Sequence, residues 1–339
     1  MKNKLQVISE MAALTAMKKI KAGESIGWHP DFATGKVTIA EMIGTDDGSR
    51  EFIEKVTYDA YQGRENVPLL YKPLFSTKSD PNFPQTMTAK EFGPVEVVFF
   101  EFNEGGEVVF GSLGPESEKV VSITTYAAGL EYSEDMEVYN QTWRISDIGA
   151  AFGEAFNHLL NHIHLSPIIS ASYTTTGGGL SGQRTAQYEG TAQLIAWSTD
   201  LKTTLTNAIQ VLPRGTKFLI NSFDRFAMEA ALAAAMYQDN SPTALKSKFN
   251  PADAFIEYDG ATLTLGKRTY TYTGVTQGYA YLVAPKRQFV EYVKHDLLID
   301  GGVGDRSRLI LNEMVGRARR GALVAVGGEY GAVKIDIAA

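Results

Sequence analysis

The sequence predicts an α+β fold organised around one long helix, and three observations carry that prediction. Ser146 to Ser166 places Ile148, Ala151, Phe152, Ala155, Phe156, Leu159, Leu160 and Ile163 at helical spacing. They form one apolar stripe over about 30 Å, a spine that a sheet or a neighbouring chain must cover. Phe255 to Tyr258, Ala261 to Leu265, Thr269 to Tyr272 and Gly278 to Val283 read as short strands separated by Asp259-Gly260 and Gly266-Lys267. That is an antiparallel meander rather than a series of βαβ units. Two further strands, Ala322 to Val326 and Val333 to Ile337, flank a Gly-rich turn at 327–331. A chain end of this kind is expected to be tied into a sheet.

Taken in order, residues 2–21 suggest a weak helix through Leu5, Ile8, Ala12 and Ala16, either an arm on a partner or part of a core. Lys36 to Ile43 alternates as a strand does, and Glu51 to Tyr61 reads as another. Asn66 to Glu91 holds Pro68, Pro73, Pro81 and Pro84 with no sustained period. Loops of that length usually carry a function or leave the body of the fold. Val95 to Phe102 and Glu107 to Phe110 flank Asn103-Glu104-Gly105-Gly106, a hairpin signal. Its apolar side chains are too many for a free ribbon in water, so a neighbouring subunit or the spine should cover them. Asn66 to Phe110 as a whole is expected to lie across a neighbour.

Lys119 to Tyr126 reads as a strand feeding the spine, and Ser133 to Trp143 as a possible helical extension of it to about 50 Å. Ser146 supplies an N-cap and Pro167 a stop. Thr174 to Gly182 is a linker by composition. Ala186 to Leu212 reads as a second long helix ended by Pro213-Arg214-Gly215. Lys217 to Ile220 is a short strand, and Ser222 to Met236 an Ala-rich helix capped by Ser222. No repeat with a period of 20 to 50 residues is present.

At 339 residues the chain exceeds the usual single core, so two domains or long excursions are expected. A net charge of −7 argues against strong, sequence-independent phosphate binding. The absence of cysteine excludes disulfides, thiolate metal sites and thiol nucleophiles. With no apolar h-region and no run of 18 apolar residues, the chain reads as a soluble cytoplasmic product.

Chemistry-bearing patterns are few. Glu154, His158 and His162 stand at successive i, i+4 positions with His164 nearby. Imidazoles so spaced can share zinc or nickel; otherwise they are polar residues bonded to a neighbouring element, which is the reading adopted here. Gly177-Gly178-Gly179 lacks the Lys-Ser/Thr ending of a phosphate loop, and Gly327-Gly328 lacks a following helix. Arg317, Arg319 and Arg320 form a basic cluster, read as an ion-pair surface before a nucleic-acid contact. Tyr270, Tyr272, Tyr279 and Tyr281 read as one packed sheet face. The site expectation is therefore no catalytic, cofactor-binding or metal-binding residues and no cofactor, a protein that is not an enzyme.

The order of these parts resembles the major capsid proteins of tailed bacteriophages, the Hong Kong 97-type fold. Three stretches carry the resemblance: Val121 to Ser133 leading into the spine, Leu194 to Met236 with its Pro213-Arg214-Gly215 break, and Glu313 to Ile337. The resemblance implies an N-terminal arm at 1–50, an extended loop with a β-hairpin at 51–118, and a peripheral domain with the spine helix at 119–170. It further implies an axial domain at 171–310 and closing strands at 311–339. The implied function is a major head protein that self-assembles through pentamers and hexamers into the icosahedral shell of a virion, formed in the host cytoplasm. Such a shell encloses double-stranded DNA without sequence-specific binding and touches no membrane. Portal, scaffold or decoration proteins are implied partners. Because the chain starts close to the arm, it is expected to be processed already or served by a separate scaffold. Lys78 and Lys90 lie where some members cross-link, with no acceptor identified. An encapsulin-like nanocompartment is the alternative within the fold, and a metal-dependent enzyme on the spine histidines the alternative outside it.

Overall fold

The structure, a computed structural model, describes residues 4–28, 46–92, 116–133, 142–172, 183–185, 217–237, 254–265, 268–283, 285, 289–303, 310–324 and 332–336. The expected strand at 36–43, hairpin at 95–110, linker at 174–182 and helix at 186–212 lie outside the described residues, as do both glycine runs.

The spine is present as helix α3, Thr142–Ile169, with α1 at Lys4–Lys21 and α2 at Asp46–Asn66 before it. At 28 residues it is about 42 Å long. It begins four residues before Ser146, and Pro167 sits inside its last turn rather than ending it. Phe152, Phe156 and Leu160 are buried as the stripe requires, joined by Ile145, Leu165 and Ile168. Ala151, counted in the stripe, is exposed.

Residues 51–61 are helical, not a strand. Val56, Thr57 and Tyr58 imitate strand composition, but Phe52, Ile53, Val56 and Ala60 recur at helical spacing and are all buried. Helix α2 crosses α3 with backbones nearly touching. A Cβ on Gly63 would stand 2.0 Å from the Ala150 carbonyl oxygen, and one on Gly153 1.8 Å from that of Ala60. Only glycine permits this crossing. Helix α1 packs on α2 through Ala12, Ala13 and Ala16, all fully buried, with Lys19 paired to Glu54 at 2.7 Å. The N-terminal helix therefore belongs to its own core.

A four-stranded sheet covers the spine in the order β1 (Ser76–Ser79), β11 (Phe289–Val303), β12 (Ile310–Val324), β4 (Thr124–Ser133). Gly316 on β12 faces the Phe152 ring, where a Cβ would come within 2.1 Å of it. The segment between α2 and β1 is core as well: Tyr71, Leu74 and Phe75 are buried, and β1 pairs in parallel with Val290 to Val293. Residues 66–79 thus stay in their own subunit, against the expectation for the proline-rich stretch, because Tyr71, Leu74 and Phe75 supply the apolar anchors that a free excursion would lack. The excursion is narrower. Strands β2 (Thr86–Phe92) and β3 (Glu116–Ser122) pair antiparallel from Thr86 with Ser122 out to Phe92 with Glu116. They form a stem about 23 Å long leading to residues 93–115. The expected loop limits of 51–118 accordingly include α2, which is core, and β1, an edge strand of the sheet over the spine.

A second sheet has the order β5 (Gln183–Thr185), β13 (Ala332–Asp336), β10 (Tyr279–Val283), β6 (Lys217–Ile220), β7 (Phe255–Glu257). Its central strands are buried on both faces: Phe218, Leu219, Ile220, Ala280, Leu282 and Val283 are fully enclosed. Helix α4 (Ser222–Tyr237) follows β6. Its cap is Asn221 rather than Ser222, since the Asn221 carboxamide oxygen accepts from the Phe223 amide at 3.0 Å. A hairpin of β8 (Gly260–Leu265) and β9 (Arg268–Thr273) starts at Gly260, whose φ of 82° suits the turn after Asp259. The tyrosines expected on one face divide: Tyr270 and Tyr272 lie on this hairpin, Tyr279 and Tyr281 on the five-stranded sheet. The expected limit at 310 also falls between β11 and β12, which are partners in a single sheet.

Candidate functional site

One edge of α3 is polar, and it organises the chain that leaves α2. Glu154, Asn157, Asn161 and His164 follow one another at three- and four-residue intervals, hence on one side of the helix. Asn157 donates to the carbonyls of Arg64 (2.6 Å) and Val67 (2.8 Å) and accepts from Arg64 Nε at 3.1 Å. Asn161 donates to the Pro68 carbonyl and accepts from the Leu70 amide, both at 2.9 Å. Glu154 accepts from Asn66 Nδ2 at 2.8 Å. The carbonyls that a helix end leaves without partners are thus satisfied from the spine. Neither asparagine was singled out from sequence, although two asparagines four apart in an apolar helix are a signal of such a role.

The same edge meets a buried charge network. Glu291 on β11 accepts from Arg320 Nη1 (2.5 Å), Tyr71 Oη (2.9 Å) and Thr77 Oγ1 (3.0 Å). Arg320 also bonds Asp296, which Arg64 approaches at 3.7 Å. The Arg64 and Arg320 guanidiniums both approach the Phe156 ring, at 5.2 and 5.5 Å from its centre. Burial opposes ionisation of Asp296, but the Arg320 and Arg64 charges prevail and hold its carboxyl below the ordinary value. Burial likewise opposes the Arg320 charge, and Asp296 and Glu291 outweigh it, so its pKa rises. Burial, with Glu291 alongside, pushes the Tyr71 hydroxyl upward, and burial with Asp296 takes Tyr61 up to about 12.

The spine histidines go to different neighbours. His164 is fully buried, stacked 3.8 Å from the Tyr71 ring, with Nδ1–H donating to the Leu160 carbonyl at 2.7 Å. Burial lowers its pKa to about 4, so the ring is neutral near pH 7, with Nε2 3.5 Å from Glu291. His162 stacks on Tyr272 of the hairpin at 4.8 Å. His158 is half-buried, and desolvation lowers its pKa despite Glu154. Among the described residues no three metal-ligating side chains converge. Glu291, Arg320 and His164 are enclosed in the spine–sheet contact, where they hold elements together, while Asp296 stands at its margin with its side chain 43% exposed. The three arginines also part company: Arg320 is inside this network, Arg317 pairs with Asp300 at 2.7 Å, and Arg319 is exposed.

Several large apolar side chains are exposed on the outward surfaces. Phe223 and Phe226, on one side of α4, are 77% and 83% exposed. Met11 and Leu14 on α1, Val120 on the stem and Val315 on β12 are also exposed. Among the described residues strand β4 is one edge of the sheet, ten residues without proline or lysine, a long edge of the kind that monomers usually protect. No helix among the described residues is long and apolar enough to cross a membrane.

No family model and no curated protein matches the sequence. Solved structures do. The chain in the crystal structure of a virus-like particle from Pyrococcus furiosus aligns with a TM-score of 0.51 at 12% identity, over 84% of this chain and 98% of that one. The capsid structure of the cyanophage P-SCSP1u aligns at 0.46 with 15% identity, over 79% and 88%. A chain from a structure of Mycobacterium phage Bobi aligns at 0.47 with 11% identity, over 80% and 90%. The fold is thus the α+β arrangement of the Pyrococcus furiosus particle chain.

Proposed function

We propose that this protein is a shell subunit, the major head protein of a tailed-phage type capsid, and that its work is self-assembly rather than catalysis. The likeness to the virus-like particle chain is the observation that carries the reading, because it spans nearly the whole of that chain. The surfaces agree with it. A projecting two-stranded stem, a long open sheet edge and exposed aromatics on α4 suit repeated contacts that close around symmetry axes. The stem and residues 93–115 would lie across a neighbouring subunit. The shell would enclose DNA by confinement, since a net charge of −7 gives little general attraction to phosphate. Portal, scaffold or decoration proteins would be its partners, and the virion its location.

Sedimentation of the purified protein over a range of salt concentrations tests this. Species far larger than the 37.0 kDa chain are expected, and a folded monomer under every condition would refute the reading. A nanocompartment of the same fold would give shells free of genome-length DNA, so the nucleic-acid content of the particles separates the two containers.

A further inference from the structure

The stem stands on a cluster of its own. Along β11 Phe289 and Glu291 turn to the spine, whereas Val290 and Tyr292 stand on the opposite face of the sheet, as the alternation of a strand requires. Register sets Leu323 and Gly321 of β12 beside them. On this outer face Val121, Ile123, Tyr292 and Leu323 bury one another, with Phe83, Met87 and Val290 packed against them. The Phe83 ring meets Tyr292 edge-on at 5.5 Å, and the Lys78 ammonium lies 5.9 Å from the centre of the same ring. A Cβ on Gly321 would stand 2.7 Å from the Ser122 carbonyl oxygen, so glycine lets β3 pass close over β12 on its way into β4.

Two hydrogen bonds tie this root to β11: the Asp80 amide donates to the Val293 carbonyl at 3.1 Å, and Lys294 Nζ donates to the Phe83 carbonyl. The Ile123 amide donates to the Gln85 carbonyl at 2.7 Å and closes the stem's own ladder at its base. The cluster shares no residue with the spine core, which lies on the other face of the sheet. Its buried members are 3–8% exposed, whereas Leu74, Ile145, Leu160 and Phe289 in the spine core are fully enclosed. Small, incompletely sealed clusters open at lower free energy than the core of the same domain. Both pivots are short: Ile123 alone separates β3 from β4, and 80–85 join β1 to β2. Opening at the root leaves the ladders of the four-stranded sheet and of the stem paired.

We propose that this cluster is a latch: it holds the stem in one direction on its own subunit and opens as a unit while the spine core stays closed, giving the stem a second setting. Phe83 is its moving half and Tyr292 its fixed half, with Lys294 as the pin between them. Since the stem is about 23 Å long, a swing of about 15° at the root carries its far end about 6 Å. The use of a second setting rests on the shell reading, in which identical subunits meet neighbours around axes of different order. The latch itself does not rest on that reading and is tested by what moves within one chain.

Hydrogen exchange of the full-length protein, resolved by mass spectrometry of its peptides, reads the latch. A released two-stranded stem is marginal in water, so its amides report the opening. Phe83→Ala should speed exchange at 79–88 and 117–124 about tenfold and Lys294→Met several-fold, while 145–165 on the spine and 50–62 on α2 keep the wild-type rate. Tyr292→Phe, which preserves the ring, should match wild type. Parallel acceleration of the spine, or a Phe83→Ala chain that does not fold, would show that root and core are one unit and overturn the proposal. Unchanged exchange at 79–88 and 117–124 in both Phe83→Ala and Lys294→Met would overturn it too. The expected pattern in a chain that never assembles would uphold the latch and refute the shell reading, so the two fail separately.

Discussion

Replacing Asn157 by alanine tests whether the polar edge of the spine holds the fold together. Asn157 is 2% exposed, and its carboxamide makes three hydrogen bonds, two to the carbonyls of Arg64 and Val67 and one from Arg64 Nε. Truncation leaves two enclosed carbonyls without a donor, at about 1–3 kcal/mol each, and loses one further bond of about 0.5–1.5 kcal/mol. The expected loss is about 2.5–7.5 kcal/mol, towards the lower end because the bonds are part-buried, and a large share of the roughly 5–15 kcal/mol of a typical domain. Asn161→Ala orphans one amide and one carbonyl and should cost somewhat less. Asn66→Ala, which removes only an exposed bond to Glu154, should cost less than about 1 kcal/mol. The Asn157/Asn161 double variant should lose less than the sum, because both side chains clamp the same stretch of chain. Urea denaturation followed by tryptophan fluorescence reads all four; a shift in midpoint at constant slope is expected. If Asn157→Ala costs no more than Asn66→Ala, the spine does not owe its hold on α2 to these bonds and the reasoning fails.

Other outcomes follow from the same geometry. Gly153→Val should abolish soluble expression, since its Cβ would meet the Ala60 carbonyl at 1.8 Å, whereas Gly149→Ala, 3.1 Å from the Asp59 Cβ, should fold; equal behaviour of the pair would refute the close crossing. His164 titrates near 4 when folded and near 6.5 when unfolded, so unfolding takes up a proton between those values. Stability should therefore fall as pH drops through that window, by up to about 3 kcal/mol from this group, and His164→Phe should flatten the slope in a urea series measured from pH 7 to 4. An unchanged slope would show that the ring already carries its proton, or is accessible, in the folded chain. Replacing 93–115 by a short Gly-Ser linker leaves the core intact and should retain cooperative melting while stopping assembly at small species; normal shells from that variant would show that the loop makes no essential contact with neighbours.

The spine was legible because its stripe is long, apolar and regular, and Lys217–Ile220 because a short buried run followed by a capped helix has few other readings. The longest strands were not. In β11 the register shifts twice between Val293 and Leu298, so Lys294-His295-Asp296 interrupts the alternation before Leu297 and Ile299 resume it. In β12 the buried positions include Gly316, Ala318 and Arg320 while Val315 faces outward, which masks the hydrophobic pattern despite buried Met314 and Leu323 at the two ends. Glycine is required there by the Phe152 ring and arginine by Glu291 and Asp296, partners distant in sequence. Helix α2 was misread for a related reason: its inner face is kept small for the crossing, so Ala60 and Gly63 dilute the apolar signal. The polar edge of the spine was seen only through its histidines, because the carbonyls that Asn157 and Asn161 serve belong to a segment about 90 residues earlier.

Electron microscopy of the purified protein tests the central claim most directly. The account predicts closed, uniform shells whose surface resolves into five- and six-membered clusters of subunits. A homogeneous field of monomers or small rings, from protein that melts cooperatively and under conditions spanning low and high salt, would contradict it.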